Sequence, residues 1–275
     1  MQSPPFPLSL GAPEPEPEDL ATLDAWSGAP ETRREGARWI LIAAIGFVGG
    51  QFAAMTLLLL SAAILGKSGE LSSFASMSSP PEWYVICSLF GLWMGFLGAS
   101  VFALRSSGAG SLRQGFGLRV KSADLLFIPL GILAQFGVLL LYLPFLDHLK
   151  NFNGPTKRLI GGSHGPGIAL ITVATALLAP LVEEIFFRGL IFRALVAIAK
   201  GPRLVISALA LVASIALDGA LFALAHAELV QFAGLMAFGC LLAFITWKTK
   251  RLVPAMVTHV AFNAIALFAA FGAGH

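Results

Sequence analysis

The sequence predicts an all-α polytopic membrane protein with about seven transmembrane helices. Of its 275 residues, 57% are hydrophobic and only 12% are charged, and the mean hydropathy is +0.82. A soluble domain carries about 25% charged residues, so this composition argues against a soluble fold. The net charge of +3 is small and the basic residues are spread over the loops, which argues against nucleic-acid binding.

Seven apolar runs are long enough to cross a bilayer, since a membrane helix needs about 20 mostly apolar residues. The predicted spans are Trp39–Leu65, Trp83–Leu104, Leu125–Leu146, Ile168–Leu190 or beyond, Leu204–Ala225, Leu229–Trp247 and Leu252–Phe271. The sequence leaves the end of the fourth span open. The stretch RGLIFRALVAIAKGPR could extend that helix or lie along the membrane surface.

The N-terminal residues 1–35 differ in composition from the rest of the chain. They include PPFPLSLGAPEPEPEDL, which is rich in Pro and Glu and has no basic segment of the kind that opens a signal peptide. Such a stretch has too little apolar surface to build a core. We therefore predict a disordered cytoplasmic tail over 1–35 and a transmembrane helical domain over 36–275.

The distribution of Lys and Arg predicts the orientation of the spans. Thirteen basic residues lie before the first span or after the second, fourth and sixth, whereas Lys67, Lys150, Lys157 and Arg158 lie on the opposite side. Cytoplasmic loops carry an excess of Lys and Arg. The N-terminus is therefore expected in the cytoplasm and the C-terminus outside.

Six ionisable residues fall inside the last four apolar helices or at their ends. They are Glu183, Glu184, Arg188, Asp218, His226 and His259. A charge near the centre of a membrane helix costs about 2.5–3.5 kcal/mol on insertion scales, so charged residues in such helices usually mark a functional site. We predict that site within the C-terminal four-helix part of the chain.

Helical spacing sorts the charged residues of the fourth span. Glu184 and Arg188 are four residues apart, share a face and can form an ion pair. Glu183 is turned about 100° away from Glu184 and has no partner in its own helix. It is therefore expected to meet a polar group from another helix.

The same spacing groups the aromatic and polar residues of the fifth and seventh spans. In FALAH, Phe222 lies one turn before His226 and can pack behind its ring. In HVAFN, His259 and Asn263 share a face. The candidate constellation is one glutamate, two histidines and one asparagine from three helices.

These residue types suit hydrolysis by an activated water. Glu183 can act as a general base, and the histidines can orient the water, hold a metal ion or protonate the leaving amine. The Asn263 amide can donate to the oxyanion of a tetrahedral intermediate. No HExxH motif occurs, so the zincin arrangement is absent.

An aspartyl dyad requires a second aspartate on another helix, and the sequence has none to pair with Asp218. We therefore interpret Asp218-Gly219 as a polar break or bend in the fifth helix. A length estimate favours that interpretation. At 1.5 Å per residue, His226 lies ~34 Å from Arg203, which is too far for a straight helix that must end at the site. A bend, or a surface stretch before the helix, would shorten the distance.

Three motifs together resemble a known family. EEIFFR (Glu183–Arg188), FALAH (Phe222–His226) and HVAFN (His259–Asn263) occur in this order in the C-terminal part of the chain. They are similar to the signature motifs of the CAAX prenyl protease and bacteriocin-processing intramembrane proteases, which include the type II CAAX prenyl endopeptidases. The resemblance covers about residues 166–273.

The resemblance implies a role for each matched residue. Glu183 would activate the water, His226 and His259 would position that water or a metal ion, and Asn263 would stabilise the oxyanion. Glu184, Arg188 and Phe222 would support these groups. If a metal is used, its ligands would be His226, His259 and Glu183. The family is described both as metalloproteases and as metal-independent glutamate proteases, and the spacing of the ligands is no zinc signature, so either zinc or no cofactor is compatible with the sequence.

The implied substrate is a peptide or a membrane-protein segment, with or without a lipid group, cleaved in a bacterial cytoplasmic membrane. Two other functions are compatible with the same polar residues. One is a proton-coupled transporter that uses Glu183, Asp218 and the histidines as a relay, although no transporter-type internal repeat is visible. The other is a non-catalytic scaffold that binds another membrane protein.

Overall fold

The computed structural model of the protein describes residues 29–77, 79–108, 111–145, 165–199 and 204–272. These residues are helical and contain no strand, and seven helices among them are long and apolar enough to cross a membrane. The predicted fold class is confirmed. The spanning helices are α1 (Arg33–Ile64), α2 (Glu82–Ser106), α3 (Ile128–Tyr142, the α-helical part of the span Ser122–Phe145), α4 (Pro166–Ala199), α5 (Leu204–Ala225), α6 (Phe232–Thr249) and α7 (Val253–Gly272).

A capping box defines the start of α1. The Thr32 hydroxyl accepts from the Glu35 amide at 3.2 Å, and the Glu35 carboxylate accepts from the Thr32 amide at 3.1 Å. Two amides at the open end of the helix thereby gain partners. The helix begins three residues before the predicted domain boundary at residue 36. Residues 1–28 of the predicted tail lie outside the described residues.

The fourth span continues without a break to Ala199, so the stretch after Leu190 extends the helix. Two segments of this helix have the wider π-helical hydrogen-bond pattern, Ala174–Leu178 and Ile185–Phe192. Pro180 follows the first segment, and its ring lacks an N–H and crowds the preceding turn. The α-helical segment that carries Glu183 and Glu184 lies between these two π segments. Interruptions of this kind in an α-helix are frequent at functional sites.

The break predicted in the fifth span is wrong, whereas a bend there stays a prediction. The helix α5 is α-helical from Leu204 to Ala225, and Asp218 is fully buried within it. Gly219 serves close packing, because a Cβ there would lie 2.7 Å from the Met236 carbonyl oxygen of α6. The length of α4 explains the ~34 Å between Arg203 and His226. Gly189 packs against Leu252, just before α7, and α4 continues for ten residues, or about 15 Å, beyond that level. The helix α5 therefore starts further out than α7 does.

Aromatic and polar contacts connect the N-terminal helices to α4 and α7. The Phe96 ring of α2 stacks on Phe186 of α4 with ring centroids 3.9 Å apart. Arg251, just before α7, forms an ion pair of 2.6 Å with Asp124, which precedes α3. The buried Arg193 of α4 donates to the Gly115 carbonyl. The ends of α3, α4 and α7 on this side are thereby held together.

Helices α1 and α2 pack with their backbones in close contact. A Cβ added to Gly95 of α2 would overlap the backbones of Gly46 and Gly50 of α1. Small residues at such crossings let membrane helices approach closely, since packing rather than the hydrophobic effect drives their association. Gly98, one turn further along α2, has nothing within 4 Å of an added Cβ.

We predict that Gly95→Ala lowers the thermal unfolding midpoint of the purified protein in detergent, because the added methyl group forces α1 and α2 apart. Gly98→Ala is the matched control, since it makes the same change in helix propensity on the same helix without a steric overlap. Equal midpoints for the two variants would contradict the prediction.

Candidate active site

The guanidinium of Arg188 lies at the centre of a buried charge cluster. Its NH1 atom donates to Glu184 Oε1 at 3.0 Å and its NH2 atom donates to the Gly239 carbonyl at 2.9 Å. Its Nε atom lies 3.3 Å from Asp218 Oδ2. The ring of Phe222 covers the guanidinium at 4.5 Å. Arg188, Glu184 and Asp218 are all fully buried, so the opposite charges of this cluster compensate one another away from solvent.

The carboxylate of Glu184 joins this cluster to α7. Its Oε1 atom, which accepts from Arg188, also lies 2.9 Å from Nδ1 of His259. The imidazole of His259 is 2% exposed and packs between Phe222 and Phe238, with ring centroids 5.5 and 5.3 Å away. One hydrogen bond and two aromatic rings therefore fix the orientation of His259.

The neighbouring Glu183 has a different environment. Its Oε2 atom lies 3.8 Å from Nε2 of His259 and 4.0 Å from Nε2 of His226. These separations exceed a direct hydrogen bond and suit a bridging water. The side chains of Glu183 and His226 are 17% and 31% exposed, so this part of the site is open to small molecules.

The hydrogen bonds of both imidazoles indicate their tautomers. Nδ1 of His226 lies 2.8 Å from the carbonyl oxygen of Phe222, and Nδ1 of His259 lies beside the Glu184 carboxylate. Both partners are acceptors, so each Nδ1 carries a proton and, in the neutral ring, each Nε2 carries a lone pair. The two Nε2 atoms on either side of Glu183 are thus acceptors for a water molecule.

Asn263 contacts the first π segment of α4. Its Nδ2 atom donates to the Thr175 carbonyl at 3.0 Å. The shifted hydrogen-bond register of a π segment makes a backbone carbonyl accessible to such a side chain. This contact uses one of the two N–H groups of the amide, and the other can donate elsewhere.

Glu183, His226 and His259 are the ligands predicted for a metal ion, if one is used. In the parts of the chain that the structure describes, no group of three or more His, Cys, Asp or Glu side chains is arranged to hold one. The arrangement of Glu183, His226 and His259 therefore does not fit the conditional metal site.

The structure brings most of the predicted residues together. Glu183 meets both histidines, Glu184 pairs with Arg188, and the Phe222 ring packs on His226 with centroids 4.6 Å apart. The sequence interpretation missed the partner of Asp218, the carbonyl of Gly239 and the ring of Phe238. The pairing of Asp218 with Arg188 could have been predicted, because a buried carboxylate implies a buried cation nearby and Arg188 was the available cation.

An apolar groove lies between α3, α4 and α7. Its volume is about 590 Å³, and its walls include Leu181 and Ile185 of α4 and Met256 and Val260 of α7. Ile185 and Val260 directly follow Glu184 and His259 in the sequence. All of its lining residues are apolar, so the groove can hold hydrocarbon but offers no charge or side-chain hydrogen bond.

Residues 165–265 match the family model described as type II CAAX prenyl endopeptidase Rce1-like. The matched segment is less than half of the chain, and it contains Glu183–Arg188, Phe222–His226 and His259–Asn263. The match confirms the family resemblance predicted from these motifs and supports a membrane peptidase. Comparisons with curated proteins and with solved structures gave no significant match.

We predict that Glu184→Gln destabilises the protein more than Glu183→Gln does. The first substitution removes the charge that faces both Arg188 and His259, and breaking a buried ion pair costs about 3–5 kcal/mol. The second removes a carboxylate whose nearest histidine nitrogens are 3.8 and 4.0 Å away. Thermal unfolding of both variants in the same detergent measures the difference, and the opposite order would show that the two roles are reversed.

Proposed function

We propose that the protein is an intramembrane endopeptidase in which Glu183 activates a water molecule held by His226 and His259. The observation that supports this most directly is the position of the Glu183 carboxylate, 3.8 and 4.0 Å from the Nε2 atoms of two imidazoles whose Nδ1 atoms are already bonded. The family match supports the peptidase class.

The proposed reaction uses Glu183 twice. A water between the three groups donates one hydrogen bond to Glu183 Oε2 and one to an imidazole Nε2. Its oxygen attacks the scissile carbonyl carbon while Glu183 takes the proton, and a tetrahedral oxyanion forms. Protonated Glu183 then gives the proton to the amide nitrogen, the C–N bond breaks, and a carboxylic acid and an amine are released.

We assign the stabilisation of the oxyanion to the Asn263 amide. The hydrogen bond to Thr175 fixes the amide, and its second N–H can donate to the developing charge. A preorganised donor of this kind stabilises the transition state without reorganisation during the reaction. The hydrogen bond to α4 also holds α7 against the helix that carries Glu183.

The substrate we propose is a peptide or a membrane-protein segment, with or without a lipid group, that reaches the site from the bilayer. Glu183 and His226 are partly exposed and therefore accessible to a substrate, while Glu184 and Arg188 remain buried. The groove beside Ile185 and Val260 is suited to an apolar part of the substrate, since all of its lining residues are apolar.

We predict that Glu183→Gln abolishes peptide hydrolysis and leaves the protein folded, because the amide cannot accept the proton of the attacking water. The wild type and the variant are reconstituted in liposomes with a peptide library, and new termini are identified by mass spectrometry. Glu70→Gln, which changes an exposed carboxylate paired with Lys67, is the control for the chemical change.

Hydrolysis by purified Glu183→Gln at the wild-type rate would disprove the assignment of the base. The same liposomes carry a pH-sensitive dye, so that proton flux is measured alongside cleavage. Proton flux by the wild type without any new termini would indicate the transporter and end the peptidase proposal.

We further predict that Asn263→Ala lowers kcat by about 10²–10³-fold with little change in KM, because an oxyanion donor acts mainly in the transition state. Steady-state kinetics on a peptide identified in the library measure both parameters, and the thermal midpoint reports the loss of the hydrogen bond to Thr175. A raised KM with an unchanged kcat would place Asn263 in substrate binding instead.

A further inference from the structure

Asp218 has no role in the hydrolysis proposed above, yet it lies at the centre of the protein. Its carboxylate is fully buried on α5 and forms an ion pair with the Nε atom of Arg188 at 3.3 Å. Neither of its oxygens accepts a hydrogen bond from the described residues. A carboxylate so placed is costly in a membrane helix, and such residues usually serve a function.

The contacts of Arg188 connect Asp218 to the site. The planar guanidinium donates hydrogen bonds to Glu184 from Nη1 and to the Gly239 carbonyl from Nη2, and its Nε atom faces Asp218 in an ion pair at 3.3 Å. Because the donors of a guanidinium form a rigid fork, a shift at Nε moves the NH1 atom as well. The position of Arg188 thus depends on α5 and α6 together.

The position of Arg188 affects His259 through Glu184. The same oxygen, Oε1, accepts from Arg188 NH1 and lies 2.9 Å from His259 Nδ1. If Arg188 moves, the shared oxygen moves, and the imidazole turns about its contacts with Phe222 and Phe238. The displaced atom would be Nε2 of His259, which faces Glu183 at 3.8 Å.

We propose that Asp218 is a positioning residue for peptide hydrolysis, acting through Arg188 and Glu184 on the orientation of His259. This inference rests on the proposed peptidase function for its kinetic consequence. Its structural consequence, the orientation of the His259 ring, holds for any function of the site.

The charge count of the cluster makes the inference testable. In their ionised forms Glu184 and Asp218 carry two negative charges against the single positive charge of Arg188. Asp218→Asn keeps the shape of the side chain and leaves Glu184 and Arg188 as a compensated pair. Glu184 is bonded to Arg188 and His259, whereas Asp218 accepts no hydrogen bond from the described residues, so its substitution breaks none. The variant is therefore expected to fold, with a thermal midpoint close to that of the wild type.

The kinetic test compares Asp218→Asn with Ser214→Ala. Ser214 is a buried polar residue one turn earlier on α5, and among the described residues its hydroxyl bonds to its own helix, at the Ala210 carbonyl. We expect Asp218→Asn to lower kcat by about 10- to 100-fold with KM nearly unchanged, the size of effect that misplacing a reacting group produces. Ser214→Ala should retain the wild-type kcat. A wild-type kcat in Asp218→Asn, or a change in KM alone, would overturn the inference.

A spectroscopic test separates this inference from the peptidase proposal. In protein labelled with ¹⁵N-histidine, Asp218→Asn should shift the Nδ1–H signal of His259, whereas that of His226, bonded to the Phe222 carbonyl, should stay in place. Signals are assigned with His226→Ala and His259→Ala. If the wild type cleaves no peptide, the peptidase proposal fails while the shift still supports the positioning role.

Asp218→Ser is made in parallel, because it removes the carboxylate with a smaller side chain if the Asn variant does not fold. The same shift of the His259 signal is expected from it. Equal shifts of both histidine signals, or of neither, in the folded variant would disprove the positioning role.

Discussion

The need to compensate the buried guanidinium of Arg188 constrains the C-terminal half of the molecule. A positive charge inside a membrane protein is tolerated only where opposite charges and dipoles surround it. Arg188 obtains these from its own helix through Glu184, from α5 through Asp218 and from α6 through the Gly239 carbonyl. Glu184 then reaches His259 on α7. The packing of these four helices is therefore linked to the geometry of a single side chain.

Glu183 and Glu184 point in different directions, because a helix turns about 100° per residue. One of the two glutamates therefore has a structural role and the other is available for the reaction. Glu184 faces the dry cluster, is fully buried and bonds to both Arg188 and His259. Glu183 faces the accessible side and keeps its carboxylate at water-bridging distance from two imidazoles. A carboxylate that is held by a buried cation and an imidazole is a poor base, so Glu183 is the better candidate for the reaction.

Hydropathy predicted all seven spans, and local spacing predicted the Glu184–Arg188 pair and the packing of Phe222 on His226, because these features depend on residues close in sequence. The partner of Asp218 and the acceptor of Asn263 depend on the relative register of helices. The predicted break in α5 was wrong because the length estimate placed the start of α5 level with the ends of α6 and α7. The continuation of α4 to Ala199 puts that start further out.

Phe222 lies between the buried ion cluster of Arg188 and the accessible groups around Glu183. Its ring covers the Arg188 guanidinium at 4.5 Å and also contacts the imidazoles of His226 and His259, with centroids 4.6 and 5.5 Å away. The ring is fully buried, so it excludes water from the ion cluster while the groups around Glu183 stay accessible. Its backbone carbonyl accepts from His226. An aromatic residue four positions before the histidine thus orients one imidazole, packs against the other and keeps the charge behind them dry.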